Sequence, residues 1–478
     1  MKKQLLTLAF GLLVAGTITA QKTYTHVECG TEYTLALRSD STIWACGENG
    51  NYQLGNSAVP KSDTLMPVAP STKWIFACAG AFHSIGIAAD STMWGWGFNQ
   101  NGELGLGTVN PNVLPTQVNA TMHWRTVSAG LAHTMAIRND GTLWGTGYNA
   151  YGQIGIGDTN THLSFVQVGT ANDWKSVSAG GLFTYAIKND GSLWVWGYNG
   201  DGELGQGFIS TQITVPIRLG TENNWTMVSG GFEFGYALKA DGTLWSTGFN
   251  GNGQLGRHAV GIVDSVLKQV GTSTDWKFIA SGASFALAIK QNGSLWGCGF
   301  NDYGQLGFHS IASAGLIDSF RLIGTDTNWQ SISAADGAIA GSSVFGLHSV
   351  GFKGQATELC TTGANYSGQL GNGTIIALPG GQYTFGCTVG ETQTAVPPVC
   401  NLANIIVYPN PAYDQVSIDG QPTSGTYQLT DISGHQLLNG KLQKGYNSFS
   451  VRALPSGIYL LAVHNDEGGI TKVKIVKD

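Results

Sequence analysis

Val127 to Gly157 reads VSAGLAHTMAIRNDGTLWGTGYNAYGQIGIG, and fifty residues later Val177 to Gly207 reads VSAGGLFTYAIKNDGSLWVWGYNGDGELGQG. A repeat of that length is one supersecondary unit, and such units stack because none can bury its apolar face alone. Working outward, the tryptophan inside the unit recurs as Trp44, Trp94, Trp144, Trp194, Trp245 and Trp296, at intervals of 50, 50, 50, 51 and 51 residues. A second aromatic series runs ahead of it: Tyr24, Trp74, Trp124, Trp174, Trp225, Trp276 and Trp329. This series has one member more. The unmatched unit ends in CTTGANYSGQLGNG, Cys360 to Gly373, which puts Cys360 in the tryptophan slot. The expected count is seven repeats between about Tyr24 and about Gly386.

Within a unit, Thr134, Ala136 and Arg138 alternate with Met135 and Ile137, the period of a half-buried strand. Asn139-Asp140-Gly141, Asn189-Asp190-Gly191, Ala240-Asp241-Gly242 and Gln291-Asn292-Gly293 then offer a positive-φ residue for a tight hairpin turn. The Leu-Trp strand comes next, followed by N-x-x-G-[QE]-[LI]-G, whose glycines permit close backbone approach. The segment up to the next Trp, such as Thr161 to Asn172, is long enough for a fourth strand. Four short strands per unit, without an amphipathic helix, predict an all-β chain: a seven-bladed β-propeller of four-stranded blades. Gly 69 and aromatics at 10% suit tight turns and wedge-filling rings, while charged residues at 11% are few against the usual ~25%. The six tryptophans and Cys360 are the expected structural anchors of the blades.

The A-G-x-x-H-[ST] segment, the D-G-x-[LV]-[WY] hairpin and the G-Q-L-G turn resemble the RCC1-like repeat family, over about three quarters of the chain. The resemblance implies a seven-bladed propeller and does not by itself supply a function.

Met1-Lys2-Lys3, the apolar run Leu5 to Ile18 and Ala20 read as a secretory signal peptide over residues 1–20. The run is shorter than the ~20 residues of a membrane span. The propeller is expected over 21–387 and a linker containing Pro397-Pro398 over 388–402. A small Ig-like β-sandwich then fills 403–478. Its Tyr408-Pro409-Asn410-Pro411 entry, its Leu454-Pro455-Ser456-Gly457-Ile458-Tyr459-Leu460 motif and its basic final strand resemble the C-terminal type A sorting domain of the type IX secretion system of Bacteroidetes. That resemblance implies export across the outer membrane, and a secreted or cell-surface protein with the type IX machinery as a partner.

Seven cysteines cannot all pair in one chain; Cys387 and Cys400, which bracket the linker, are the expected disulfide if one forms. No C-x-x-C occurs, and no metal or cofactor is expected. Net charge is −6, and Lys plus Arg total only 24, so no basic face is expected for nucleic acid. Chromatin binding and guanine-nucleotide exchange, known for the nuclear founder of the family, are therefore not carried over. The founder also works through a wedge inserted in an early blade, and the early repeats here are evenly spaced. Gly200 to Gly205 and Gly251 to Gly256 satisfy G-x-G-x-x-G but lack the helix a dinucleotide site needs. His83, His133 and His348 share a repeat position with Tyr33, Phe183, Phe234 and Phe285, which reads as packing and not chemistry.

The variable pair between the repeat glycine and that position is Thr31-Glu32, Ala81-Phe82, Leu131-Ala132, Gly181-Leu182, Phe232-Glu233, Ala283-Ser284 and Gly346-Leu347. In the family this loop lies on one face around the central channel. Phe82, Leu131, Leu182, Phe232 and Leu347, flanked by Glu32 and Glu233, make either a contact patch or a packed channel lining. The leading expectation is a non-catalytic binding module for an extracellular protein or glycan. The alternatives are a carbohydrate-active enzyme using Glu32 and Glu233 at the channel mouth and a structural surface-layer component.

Overall fold

The computed structural model describes residues 23–258, 261–308, 317–337, 339–340, 343–344, 346–356, 358–376, 381–389, 406–408, 412, 414–421, 424–431, 435–443, 445–465 and 470–477. Every regular element among them is a strand. Residues 1–20, Cys400 and Pro409 to Pro411 lie outside this set, and with them the signal peptide, half of the expected disulfide and most of the sorting entry motif.

Strands that follow one another in the chain pair antiparallel into seven four-stranded sheets. Their first strands are Tyr24–Cys29, Trp74–Ala79, Trp124–Ala129, Trp174–Ala179, Trp225–Gly230, Trp276–Ser281 and Trp329–Ala334. The third sheet is representative: Trp124–Ala129, His133–Arg138, Leu143–Gly147 and His162–Gln167. Its hairpin closes through Gly141 at φ 83°, and Gly191, Gly242 and Gly293 take the same conformation. In the first two sheets Ser41 and Ser91 adopt it instead, at φ 65° and 66°.

Second strands are buried along nearly their whole length, and not on alternate residues. Successive sheets stack face to face, so both sides of an inner strand leave water. Apolar cores lie between successive sheets, as where Met135, Ile137 and Leu143 of the third meet Trp174, Ala186 and Trp196 of the fourth. The two aromatic series divide the work differently from the sequence reading. The leading series is the buried one, with Trp74 and Trp124 at 1% and 0% exposure. The expected anchors Trp44, Trp94, Trp144, Trp194, Trp245 and Trp296 are half-buried. Their indole N–H groups donate to the hydroxyl two residues earlier, at 2.8 to 3.2 Å. Cys360 faces Gly351 in the register where Trp144 faces Ala136.

Cys360 is also directly opposite Cys387 on the neighbouring strand, and the two form a disulfide. This corrects the expected Cys387–Cys400 pairing: cross-strand partners stand close enough for a bond that needs no chain crossing. The strand Gly381–Val389 also runs two residues into the expected linker.

One bond repeats between consecutive first strands: Ser128 Oγ accepts from Ala179 N, Ser178 Oγ from Gly230 N and Ser229 Oγ from Ser281 N, at 2.9 to 3.0 Å. The first and seventh sheets make the same bond, with Cys29 N donating to Ser333 Oγ at 3.0 Å.

In the C-terminal part, Ile406–Tyr408, Gln415–Gln421 and Gly445–Ser450 form one sheet, and Gln436–Leu442, Gly425–Asp431, Gly457–Asn465 and Ile470–Lys477 another. Val416, Ile418 and Phe449 share a core with Leu429, Leu461 and Ile475 across the two sheets.

Candidate functional site

Two loops of every sheet meet at the same end. The residue before the second strand offers its carbonyl to the N–H that follows the third-strand glycine: Glu32 to Glu48, Phe82 to Phe98, Ala132 to Tyr148, Leu182 to Tyr198, Glu233 to Phe249, Ser284 to Phe300 and Leu347 to Ala364, all at 2.8 to 2.9 Å. The glycine is required there: at Gly197, φ 105°, a Cβ would stand 2.6 Å from Phe183 Cα. The N-x-x-G-[QE] turn then locks itself. Asn199 Oδ1 accepts from Leu204 N at 3.0 Å, and Glu203 Oε2 from Asp201 N at 3.0 Å. Asn49, Asn99, Asn149, Asn250, Asn301 and Asn365 make the same closure.

Of the expected rim, Phe82, Leu131, Leu182, Phe232, Glu32 and Glu233 are half-buried. Leu347 is not on the rim; it is buried at 1% exposure, because the seventh sheet replaces the two-residue loop by a longer connection from Asp336 to Leu347. Glu32 is engaged within the molecule, accepting from Tyr366 Oη at 3.0 Å and Ser367 Oγ at 3.1 Å. Burial raises its carboxyl, and these hydroxyls oppose the rise. Phe82 sets its edge on Phe98, ring centroids 6.5 Å apart.

The structure adds residues that the loop pairs alone do not contain. Phe98, Tyr148, Tyr198, Phe249 and Phe300 are half-buried beside the rim, with Tyr151 5.0 Å from Tyr198. Their sequence signal is the recurring G-[FY]-N at the start of these five turns. A second addition is acidic. Glu203, 0% exposed, is pushed up to about 8 by burial, with Asp201 and Glu233 adding to the rise. Burial also raises Asp201 and Glu233.

His83, His133 and His348 pack fully buried, and burial lowers each to about 3. Among the described residues the one grouping of three ligating atoms is Glu358, Cys360 and Cys387, whose two sulfurs are spent on the disulfide. At the other end of the strands a cavity of about 250 Å³ is lined by Arg257, His258, Trp276, Lys290, Trp296 and Phe320. Each of its three basic groups already holds an aspartate, at 2.7 to 2.9 Å.

Residues 90–137, 140–187 and 190–238 match the family model of the Regulator of chromosome condensation (RCC1) repeat, and a second model of that repeat matches 124–153, 174–203 and 276–305. The chain carries RCC1 repeats. The first and seventh sheets lie outside the matched residues and share the repeat's pairing. Residues 406–478 match the Secretion system C-terminal sorting domain, which implies the type IX secretion system and supports secretion or cell-surface attachment. Among solved structures, Prp20p from Saccharomyces cerevisiae is 18% identical with a TM-score of 0.59, over 66% of this chain and 80% of that one. Human WBSCR16 is 21% identical with a TM-score of 0.59, over 66% and 85%. At such identity the likeness is one of fold, and the four-stranded sheets fit blades of an RCC1-like propeller. Comparison with the curated proteins gives no match. No helix of the described residues is long and apolar enough to cross a membrane.

Proposed function

We propose that the RCC1 repeats close into one seven-bladed propeller that serves, outside the cell, as a non-catalytic binding module for a protein or glycan. Export would begin with a signal peptide at residues 1–20 and proceed through the sorting domain, an Ig-like sandwich, as in Bacteroidetes. The bond between Cys29 and Ser333, identical to those between consecutive sheets, supports closure. The rim face carries the function: Phe82, Leu131, Leu182 and Phe232 remain partly open to solvent beside the aromatic belt of Phe98, Tyr148 and Phe249. Half-buried rings held by rigid turns contribute contact area at small entropic cost, as in the core of a protein interface. The enzyme reading has less support, because Glu32, one of its two carboxylates, is tied to Tyr366 and Ser367.

The test is capture from culture supernatant by the immobilised full chain, followed by a measured affinity for what is captured. Phe82→Ala with Phe232→Ala should weaken that affinity by tenfold or more while the melting temperature holds. Unchanged affinity would remove the rim from the reading.

A further inference from the structure

We propose that the cavity between the fifth and sixth sheets binds one neutral sugar ring, held by its aromatic wall and two uncommitted serine hydroxyls. The site lies at the opposite end of the strands from the rim face and does not depend on it.

The cavity has a cause in the repeat. The residue that follows the G-[QE]-[LI]-G turn packs against the core shared with the next sheet where it is Leu106, Ile156 or Phe308. In the fifth sheet it is Arg257, and its guanidinium is drawn aside. Nε donates to Ser246 Oγ at 3.1 Å and Nη2 to Asp264 Oδ2 at 2.7 Å, both on strands of the same sheet. The space that an aliphatic side chain would fill therefore stays open, about 250 Å³ bounded by Arg257, Trp276, Trp296 and Phe320, with Ser273 and Ser319. That lies below the ~300 to 1,000 Å³ of pockets for drug-sized ligands, so it admits a single ring. His258, 72% exposed, stands at its mouth.

The lining selects against charge. Arg257, His258 and Lys290 are matched by Asp264, Asp318 and Asp275 at 2.7 to 2.9 Å. An ionic ligand would give up its hydration here with no unpaired opposite charge to replace it. The lining also selects against a wholly apolar ligand. Ser273 Oγ accepts from Lys290 Nζ at 3.1 Å, and its own proton has no acceptor among the described residues. Ser319 Oγ makes no hydrogen bond among them, so both hydroxyls can exchange water for a ligand hydroxyl.

The rest of the wall is aromatic. Trp276 stands edge-on to Trp296 at 6.1 Å between centroids and meets Phe320 at 5.0 Å. A sugar ring carries apolar C–H groups on its flat side and hydroxyls around its edge, so one neutral ring satisfies both kinds of lining.

Methyl β-glucoside, methyl β-galactoside and methyl α-mannoside are the probes, titrated into the full chain with the indole N–H resonances as readout. Glucuronate, glucosamine and indole are the charged and apolar arms. At least one neutral glycoside should bind more tightly than those three and move the resonances of Trp276 and Trp296. Arg257→Ile, which installs the residue of the third sheet, should cut the affinity about tenfold or more while the melting temperature holds or rises. Asp264 keeps Lys268 at 2.8 Å in that variant, so no carboxylate is stranded. Should Arg257→Ile lose the fold, Ser273→Ala with Ser319→Ala tests the same site, since Ala171 already stands at the place of Ser273 in the cleft between the third and fourth sheets. There the affinity should fall about fivefold or more with the cavity still open. Failure of all three glycosides to bind, preference for glucuronate, glucosamine or indole, or full affinity in a folded Arg257→Ile or in the serine pair would overturn the inference. Phe82→Ala with Phe232→Ala should leave glycoside binding unchanged, so the rim-face reading and this site fail separately.

Discussion

Gln53, Glu103, Gln153, Glu203, Gln254, Gln305 and Gln369 occupy one repeat position, and the exchange of an amide for a carboxyl there governs how the fold responds to pH. Glu203 sits at about 8 when folded, against 4.5 for a free carboxyl. The folded state holds this proton more tightly than the unfolded one between those values, so stability falls as pH rises through that window and the full loss is reached above about 8. The buried histidines act in the opposite sense. His83, His133 and His348 fall to about 3 from 6.5, so their contribution is complete above pH 6.5 and drains away as pH falls toward 3. Burial raises Asp336 to about 7 and so adds to the alkaline side, and stability measured by urea unfolding should therefore peak near pH 6.5 and decline on both sides. Glu203→Gln should stabilise the protein above pH 7 by an amount of order a few kcal/mol, shallow the alkaline decline and steepen the acid limb above pH 4.5. A variant that keeps the full alkaline decline would show that Glu203 ionises freely in the fold.

At the scale of the strand, the far end of four sheets carries a cation between the two aromatic series. Lys239 Nζ lies 4.8 Å from the Trp225 centroid and 4.1 Å from that of Trp245, and bonds Glu222 at 2.6 Å. Lys188 and Lys290 repeat the arrangement, and Arg38 does so between Tyr24 and Trp44. Arg138 reaches only Trp144, Lys353 reaches only Trp329, and Ala88, opposite Trp74, brings no cation. Because Lys239 is 6% exposed, its ring contacts are largely desolvated. Lys239→Met should cost about 2 kcal/mol, read as a lower urea midpoint at constant slope. A loss within 0.5 kcal/mol, the ordinary range for a surface change, would reduce the clamp to decoration. Strand order and turns were legible because they are local: the Asp-Gly hairpin and the N-x-x-G turn lie within a dozen residues of the strands they join. What each side chain touches was not, since the neighbour lies fifty residues away. Thus the rim loops are singled out by their variability, while the commitment of Glu32 to Tyr366 depends on packing between the first and seventh sheets, the burial of Leu347 on the longer connection of the seventh, and the partner of Cys387 on a strand pairing, none of which a local pattern specifies.

Across the whole molecule, each histidine that opens a second strand reaches a threonine of the next sheet. His83 Nε2 meets Thr134 Oγ1 at 2.9 Å, and His133 Nε2 meets Thr184 Oγ1 at 3.1 Å. Each threonine donates its own proton to a turn carbonyl, Glu103 O or Gln153 O, so the imidazole N–H must be the donor to the hydroxyl. Where phenylalanine replaces histidine, at Phe183 and Phe234, the facing residues are Gly235 and Ala286, and Tyr185 and Tyr236 supply the hydroxyl to the turn carbonyl. The seam obeys the same rule: His348 Nε2 meets Thr34 Oγ1 at 3.0 Å, and Thr34 donates to Gln369 O at 2.8 Å. This gives a measure of closure that needs no image of the ring. In a closed ring, a double-mutant cycle of His348→Phe with Thr34→Ala should return a coupling of about 1 kcal/mol, equal within error to that of His133→Phe with Thr184→Ala. An open array keeps the internal pair touching and separates the ends, so the internal coupling would persist while the seam coupling fell to zero. Residues 314 apart in sequence share an interaction free energy only if the last sheet packs on the first, so that outcome decides between the two architectures.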